Sequence, residues 1–383
     1  MSSLQKSMLK SKLPPAGLKL GFTSGGCRSR ALQRKRDYEP VQWSTYYSES
    51  QKIKIGDNSF HIYIQGDDGP LLVLLHGGGY SALTWAEFTK SIIGMVVCRI
   101  LAIDLRGHGN TQTTDDENLS AETLAHDVAA VIHEYDDNAP IVLIGHSMGG
   151  AVAVRAAPLL TNLAGITVID VVEGTAMDAL ASMQSFLRSR PKGFDSIPQA
   201  IEWCVRSGQI RNVQSAKVSV PGQITNTVSG MLATDDIDAV LTSTHSESCS
   251  NLTVQRGDTI QEEETLTMPA PEVLTSLLEK KYKWRIDLAK TEEHWVGWFK
   301  GLSAAFLNIP APKMLLLAGV DRLDKELTVG QMQGKFQMQV LPACGHAVHE
   351  DVPDKVAEAI ATFMVRHKFA EPASDFPRTF PAC

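Results

Sequence analysis

The sequence has little cysteine, and what it has is scattered. Its six cysteines (Cys27, Cys98, Cys204, Cys249, Cys344 and Cys383) form no CxxC pair and no ligand cluster. That excludes a disulfide scaffold and a zinc module, and it reads as reduced thiols of an intracellular protein. The sequons at Asn118 and Asn251 are then unused. No apolar run is long enough for a membrane helix, and the start lacks a secretory apolar core. There is no GxGxxG and no GxxxxGK[ST], so a glycine-rich phosphate loop is excluded. Acid is missing from the first 36 residues, where nine lysines and arginines precede Asp37. The rest then carries 27 basic against 43 acidic residues, a net charge of −16, which argues against nonspecific nucleic-acid binding.

What is present is ordinary for a globular protein: 383 residues, 43% hydrophobic and 21% charged. The basic start, 1–36, is expected to be a disordered tail, with a transit peptide or a nuclear signal at Arg34-Lys35-Arg36 as alternatives. From Gln51 the pattern becomes regular. Lys52–Ile55 and Phe60–Ile64 alternate around Asp57-Asn58, a hairpin pattern. Leu71–Leu75, Cys98–Ile103, Ile141–Ile144, Ile166–Ile169, Met314–Leu317 and Phe336–Leu341 are short apolar runs suited to buried parallel strands. Helical periods over Ser120–Tyr135, Met148–Ala157 and Asp354–Phe369 lie between them. Strands alternating with helices predict an α/β fold class, with a mostly parallel central sheet flanked by helices.

Between Ile169 and Met314 the alternation stops. Ala176–Leu187, Ile197–Ser207 and Trp284–Leu302 have helical patterns, which predicts a helical cap insertion over 171–312. Within it, 222–275 is rich in Ser, Thr and Asp and reads as a flexible loop.

Ile144-Gly145-His146-Ser147-Met148-Gly149 carries Gly-x-Ser-x-Gly between a strand and a helix. The glycines are needed because a serine on so sharp a turn brings backbone close to backbone, and Ser147 is the candidate nucleophile. His76-Gly77-Gly78-Gly79 follows a strand, as does the loop that donates N–H groups to the oxyanion in serine esterases. The candidate donors are Met148 with Gly78 or Gly79. Serine needs a base, and His346 follows the last strand and precedes the last helix, with His349 as rival. The chain order Ser, Asp, His leaves two places for the acid. One is Asp170, after the strand ending at Ile169. The other is Asp321 or Asp324, after the next-to-last strand, and pattern alone favours Asp321.

These motifs extend nearly the full length of the chain. Leu75–Gly79, Gly145–Gly150, Ile169–Leu180, Ser207–Asn212, Leu316–Asp324 and Cys344–Asp351 together resemble the protein phosphatase methylesterases. These are α/β-hydrolases that demethylate the carboxy-terminal leucine of type 2A protein phosphatase catalytic subunits. The resemblance implies an α/β-hydrolase fold and a serine carboxylesterase. It puts the nucleophile on Ser147, the base on His346 and the acid on Asp170, replacing Asp321. No metal or organic cofactor is implied. The implied partner is the type 2A catalytic subunit with its methylated tail, with no nucleic acid and no membrane, and the implied location is cytoplasmic or nuclear. Holding inactive phosphatase is a second implied role. Trp284, Arg285, Trp295, Trp298 and Phe299 are candidate groove residues, or else amphipathic packing of one helix. The loop over 222–275 carries only a short acidic cluster, Glu262-Glu263-Glu264, where relatives can have a long acidic and lysine-rich one. The alternatives are a general small-ester or lipid hydrolase, and a phosphatase-binding protein without catalysis.

Overall fold

The computed structural model describes residues 37–136, 138–246, 280–319, 323–373 and 376. The expected basic tail, the 247–275 part of the expected loop, and Asp321 lie outside the described residues. The strands are β1 Glu49–Ile55, β2 Asn58–Gln65, β3 Leu71–Leu75, β4 Arg99–Ile103, β5 Ile141–His146, β6 Leu163–Ile169, β7 Gly193–Phe194, β8 Ile224–Asn226, β9 Tyr282–Trp284, β10 Lys313–Leu317 and β11 Gln337–Val340. Eight of them form one sheet in the order β1-β2-β4-β3-β5-β6-β10-β11. The first two pairings are antiparallel and the others parallel.

The runs that looked continuously apolar are the inner strands. Every residue of β3, β5 and β10 is buried, because helices cover both faces of the sheet. Side chains pointing to one face and to the other fall in two separate apolar cores. Leu71, Val73 and Leu75 belong to the core that includes the helix Met148–Ala156. Leu72 and Leu74 belong to the core with the helix Pro353–Arg366. The register sets the site. Leu75 lies opposite Gly145, His146 opposite Ile169, and Leu316 opposite Ile169. Hence His76, Ser147 and Asp170 leave the sheet at one edge, the carboxyl end of its parallel strands, where ligands bind in open α/β sheets.

Three expectations change. The pattern over Trp284–Leu302 is not one helix. Trp284 pairs with Ile224 in a small antiparallel sheet of β7, β9 and β8. A new turn starts where Asp287 accepts from the Ala289 N–H, and the helix Glu292–Phe299 follows. Gly301, at φ 75°, breaks the chain again before the helix Leu302–Asn308. Second, the expected loop over 222–275 begins as ordered structure. Gly222 and Gln223 are buried, β8 follows, and Ala233–Ser246 is a helix. A β-carbon on Gly222 would stand 2.3 Å from Ser81 Oγ, so tight packing, not mobility, explains this glycine. Third, the last helix stops at Arg366 instead of Phe369, because Lys368 turns left-handed at φ 58°.

Candidate active site

Ser147 sits between β5 and the helix Met148–Ala156 with φ 53° and ψ −120°. Such a backbone costs on the order of 1–3 kcal/mol for a residue with a side chain, and it persists only where the surroundings impose it. Here they do. A β-carbon on Gly145 would stand 2.2 Å from the Gly149 carbonyl oxygen, and one on Gly149 would stand 2.3 Å from that of Leu75. The two glycines of the motif are therefore demanded by close backbone contact around the turn.

His346 leaves the loop after β11 and reaches both partners. Its Nε2 is 3.0 Å from Ser147 Oγ and its Nδ1 is 2.8 Å from Asp170 Oδ2. Asp170 is buried, and its backbone is also left-handed, at φ 51°. The Ala318 N–H donates to its other oxygen at 3.0 Å, while its own N–H donates to the Leu316 carbonyl at 2.8 Å. A carboxylate on Nδ1 puts the proton there and leaves Nε2 free to accept from the serine hydroxyl.

The rival residues are engaged elsewhere. His349 is fully buried with Nε2 2.8 Å from Thr84 Oγ1, and burial pushes its pKa down to about 3. Asp324 caps the helix Lys325–Met332 by accepting from the Leu327 N–H at 2.9 Å, and Ser303 Oγ donates to its other oxygen. His146 is held neutral by burial, its pKa well below the ordinary value. Its Nε2–H donates to the His346 carbonyl at 2.8 Å, so it supports the loop that carries His346.

Of the expected oxyanion donors, Gly79 is corrected. Its N–H donates to His108 Nε2 at 2.9 Å. The Nδ1 of His108 faces the Arg106 carbonyl at 2.8 Å, so the proton is on Nδ1 and Nε2 can only accept. Burial keeps this ring neutral, with its pKa near 3. Gly78 and Met148, the other two candidates, line the same cavity as Ser147.

That cavity is about 360 Å³ and lies between the sheet edge and the insertion. Met183, Leu187, Leu288, Trp295 and Phe299 form much of its apolar wall. Trp295, Trp298 and Phe299 are buried, so they are cavity wall and core, not an exposed groove. Trp284 and Arg285 do not line it. Trp284 Nε1 donates to the Pro191 carbonyl, and Arg285 pairs with Asp116 at 2.9 Å. Met183, Leu187, Arg190 and Leu288 were missed from sequence. The signal was there for two of them, because Met183 and Leu187 share one face of the helix Glu173–Ser189 with Ala176 and Leu180. No group of three or more potential metal ligands occurs among the described residues.

Residues 72–359 match the model of the alpha/beta hydrolase family. Over the full length of both chains, the sequence is 52% identical to protein phosphatase methylesterase 1 of Mus musculus and 52% identical to that of Homo sapiens. The relative of the same name in Neurospora crassa is 37% identical, over 93% of this chain and 80% of that one. The chain belongs to the protein phosphatase methylesterase family. Among solved structures, an E-2-(acetamidomethylene)succinate hydrolase superposes on this methylesterase-family chain with a TM-score of 0.59. It covers 83% of this chain and 99% of the other at 18% identity, a likeness of fold alone. The family is thus one of carboxylic ester hydrolases.

Proposed function

We propose that this protein removes the methyl ester from the carboxy-terminal leucine of the type 2A protein phosphatase catalytic subunit. Ser147 is the nucleophile, His346 the base and Asp170 the acid that orients it. The observation that carries the assignment is the continuous line from Asp170 through His346 to Ser147 Oγ, opening on an apolar cavity.

In the first half-reaction His346 Nε2 takes the Ser147 proton as Oγ attacks the ester carbonyl. The Met148 and Gly78 N–H groups receive the oxyanion, and each such donor contributes about 3 kcal/mol to the transition state. The tetrahedral intermediate collapses, the C–O bond to methoxide breaks, and His346 returns the proton to release methanol. Water then attacks the acyl-enzyme with the same base, giving the leucine carboxylate and restoring Ser147. The apolar wall suits a leucine side chain.

The same reading takes 37–383 as one hydrolase domain with a cap over 171–312. The phosphatase is the partner, held through its tail and in its inactive form as well. A reducing compartment, cytoplasmic or nuclear, agrees with the free Cys98, Cys204 and Cys344, and among the described residues no helix is long and apolar enough to cross a membrane. Methanol release from methylated phosphatase, compared between wild type and Ser147→Ala, tests the activity. Release by wild type but not by the folded variant is expected, and equal release would overturn it. A covalent serine-hydrolase probe separates catalysis from mere binding, because a binder without activity leaves the probe unreacted even with phosphatase present.

A further inference from the structure

One charged side chain in the cavity has no role in this scheme. Arg190 follows the helix Glu173–Ser189 and lines the cavity together with Ser147, Met148 and Gly78. Its Nη1 lies 3.8 Å from where a β-carbon on Gly79 would stand, so it approaches the loop that carries the oxyanion donor Gly78. The guanidinium carbon lies over Trp284, 3.5 Å from the ring centre. Stacking occupies the face of the group but leaves its N–H donors, which point outward in its plane. Its Nε is buried and has no hydrogen-bond partner among the described residues. Burial pulls its pKa down, and the neighbouring ionisable groups are Cys204 and Tyr80, not a carboxylate. An arginine stays charged even so. A cation partly withdrawn from water, with no carboxylate partner among the described residues, is poorly compensated, and such a group is ready for an anionic ligand.

We propose that Arg190 makes this cavity a carboxylate subsite, which binds an N-acylated C-terminal α-carboxylate in preference to the neutral ester or amide. The inference rests on the esterase reading, because that reaction creates such a carboxylate beside the oxyanion donors. The substrate ester carries no charge for Arg190 to attract, whereas the product does. The cavity therefore retains the demethylated chain end after methanol has left, and product competes with substrate.

The test uses N-acetyl-leucine as the carboxylate probe and N-acetyl-leucine amide as its neutral counterpart. Both are titrated calorimetrically into the full-length Ser147→Ala protein, so that binding is read without turnover. The carboxylate is expected to bind about tenfold more tightly than the amide, the size of one charge-assisted hydrogen bond. Adding Arg190→Gln to this protein should abolish the difference, and Arg190→Lys should restore part of it. Equal binding of the two probes overturns the inference, as does a preference that survives Arg190→Gln. If Arg190→Gln does not fold, the probe comparison and the Arg190→Lys protein still decide. Failure of the esterase reading is seen separately, as absence of methanol release by wild type.

Discussion

Two helices flank the cavity and are held in opposite ways. Eight residues of the helix Met148–Ala156 are buried, including Gly149, which is pressed against the Leu75 backbone, and Gly150, which is pressed against the Val171 side chain. The helix Glu173–Ser189 is nearly twice as long and contains no buried residue, and its Phe186 is 46% exposed. In the proposed mechanism the first carries a backbone N–H, that of Met148, for the reacting carbonyl, so an error of an ångström there is expensive in rate. The second supplies the wall for a side chain, where fit tolerates movement. Chemistry is therefore mounted on the close-packed sheet, and recognition on an element with few tertiary restraints.

The contrast is sharpest for the reacting groups. Ser147→Ala should lower hydrolysis of the leucine methyl ester by on the order of 10⁶-fold while leaving the unfolding temperature unchanged. Substantial residual turnover, or a large loss of stability, would break the assignment. Asp170→Asn should cost on the order of 10⁴-fold in kcat through the wrong tautomer of His346. Asp321→Asn should leave kcat close to wild type, and equal losses in the two variants would reject Asp170 as the acid.

Truncations in the two regions should separate stability from binding. Leu143→Ala, in the fully buried β5, should destabilise by about 2–5 kcal/mol in denaturant unfolding. Leu187→Ala, in the partly buried wall, should cost no more than about 1 kcal/mol. It should raise KM several-fold for the leucine ester with little change in kcat. If both variants lose stability equally, the helix Glu173–Ser189 is as firmly held as the sheet.

The smallest effect expected concerns pH. Glu350 is fully buried between two hydroxyls. Thr84 Oγ1 donates to its Oε1, and Ser219 Oγ donates to Oε2 at 2.8 Å. Burial raises its pKa to about 8, against an ordinary 4.5, so the folded state binds this proton more tightly. Its stabilisation is complete below about 4.5 and is lost as pH rises to about 8. His108 and His349, both with pKa near 3, act in the opposite sense but only below about 6.5. Between pH 6.5 and 8 the unfolding midpoint of wild type should fall with rising pH, and that of Glu350→Gln should fall less. Parallel curves would show that Glu350 is ionised in the folded protein at neutral pH.

Much of this was legible along the chain. Strands buried on both faces must be continuously apolar, so β3, β5, β6 and β10 were readable as short runs. A strained serine turn needs glycines on both sides, so Gly145-His146-Ser147-Met148-Gly149 pointed to one chemistry. Periodicity alone misread Trp284–Leu302, because aromatic residues occur in strands as well as in helices, and only the pairing of Tyr282–Trp284 with strands on both sides separates them. It also read the start of 222–275 as loop, since Ser and Thr that pack against buried partners look like solvated ones.

The sequence by itself determined the sheet, the serine turn between β5 and its helix, and the loop bearing His346, because these depend on local backbone geometry and on apolar patterning. The acid is different. Pattern pointed to Asp321 and family resemblance to Asp170, and the contact of Asp170 with His346 spans 176 positions. The choice between Gly78 and Gly79 hangs on where His108, 29 residues away, points its Nε2. The stacking of Arg190 on Trp284 joins the end of a helix to a strand of the small sheet. No local pattern encodes such pairs, because a hydrogen bond or a ring contact depends on distance and direction in space, which only the packed chain supplies.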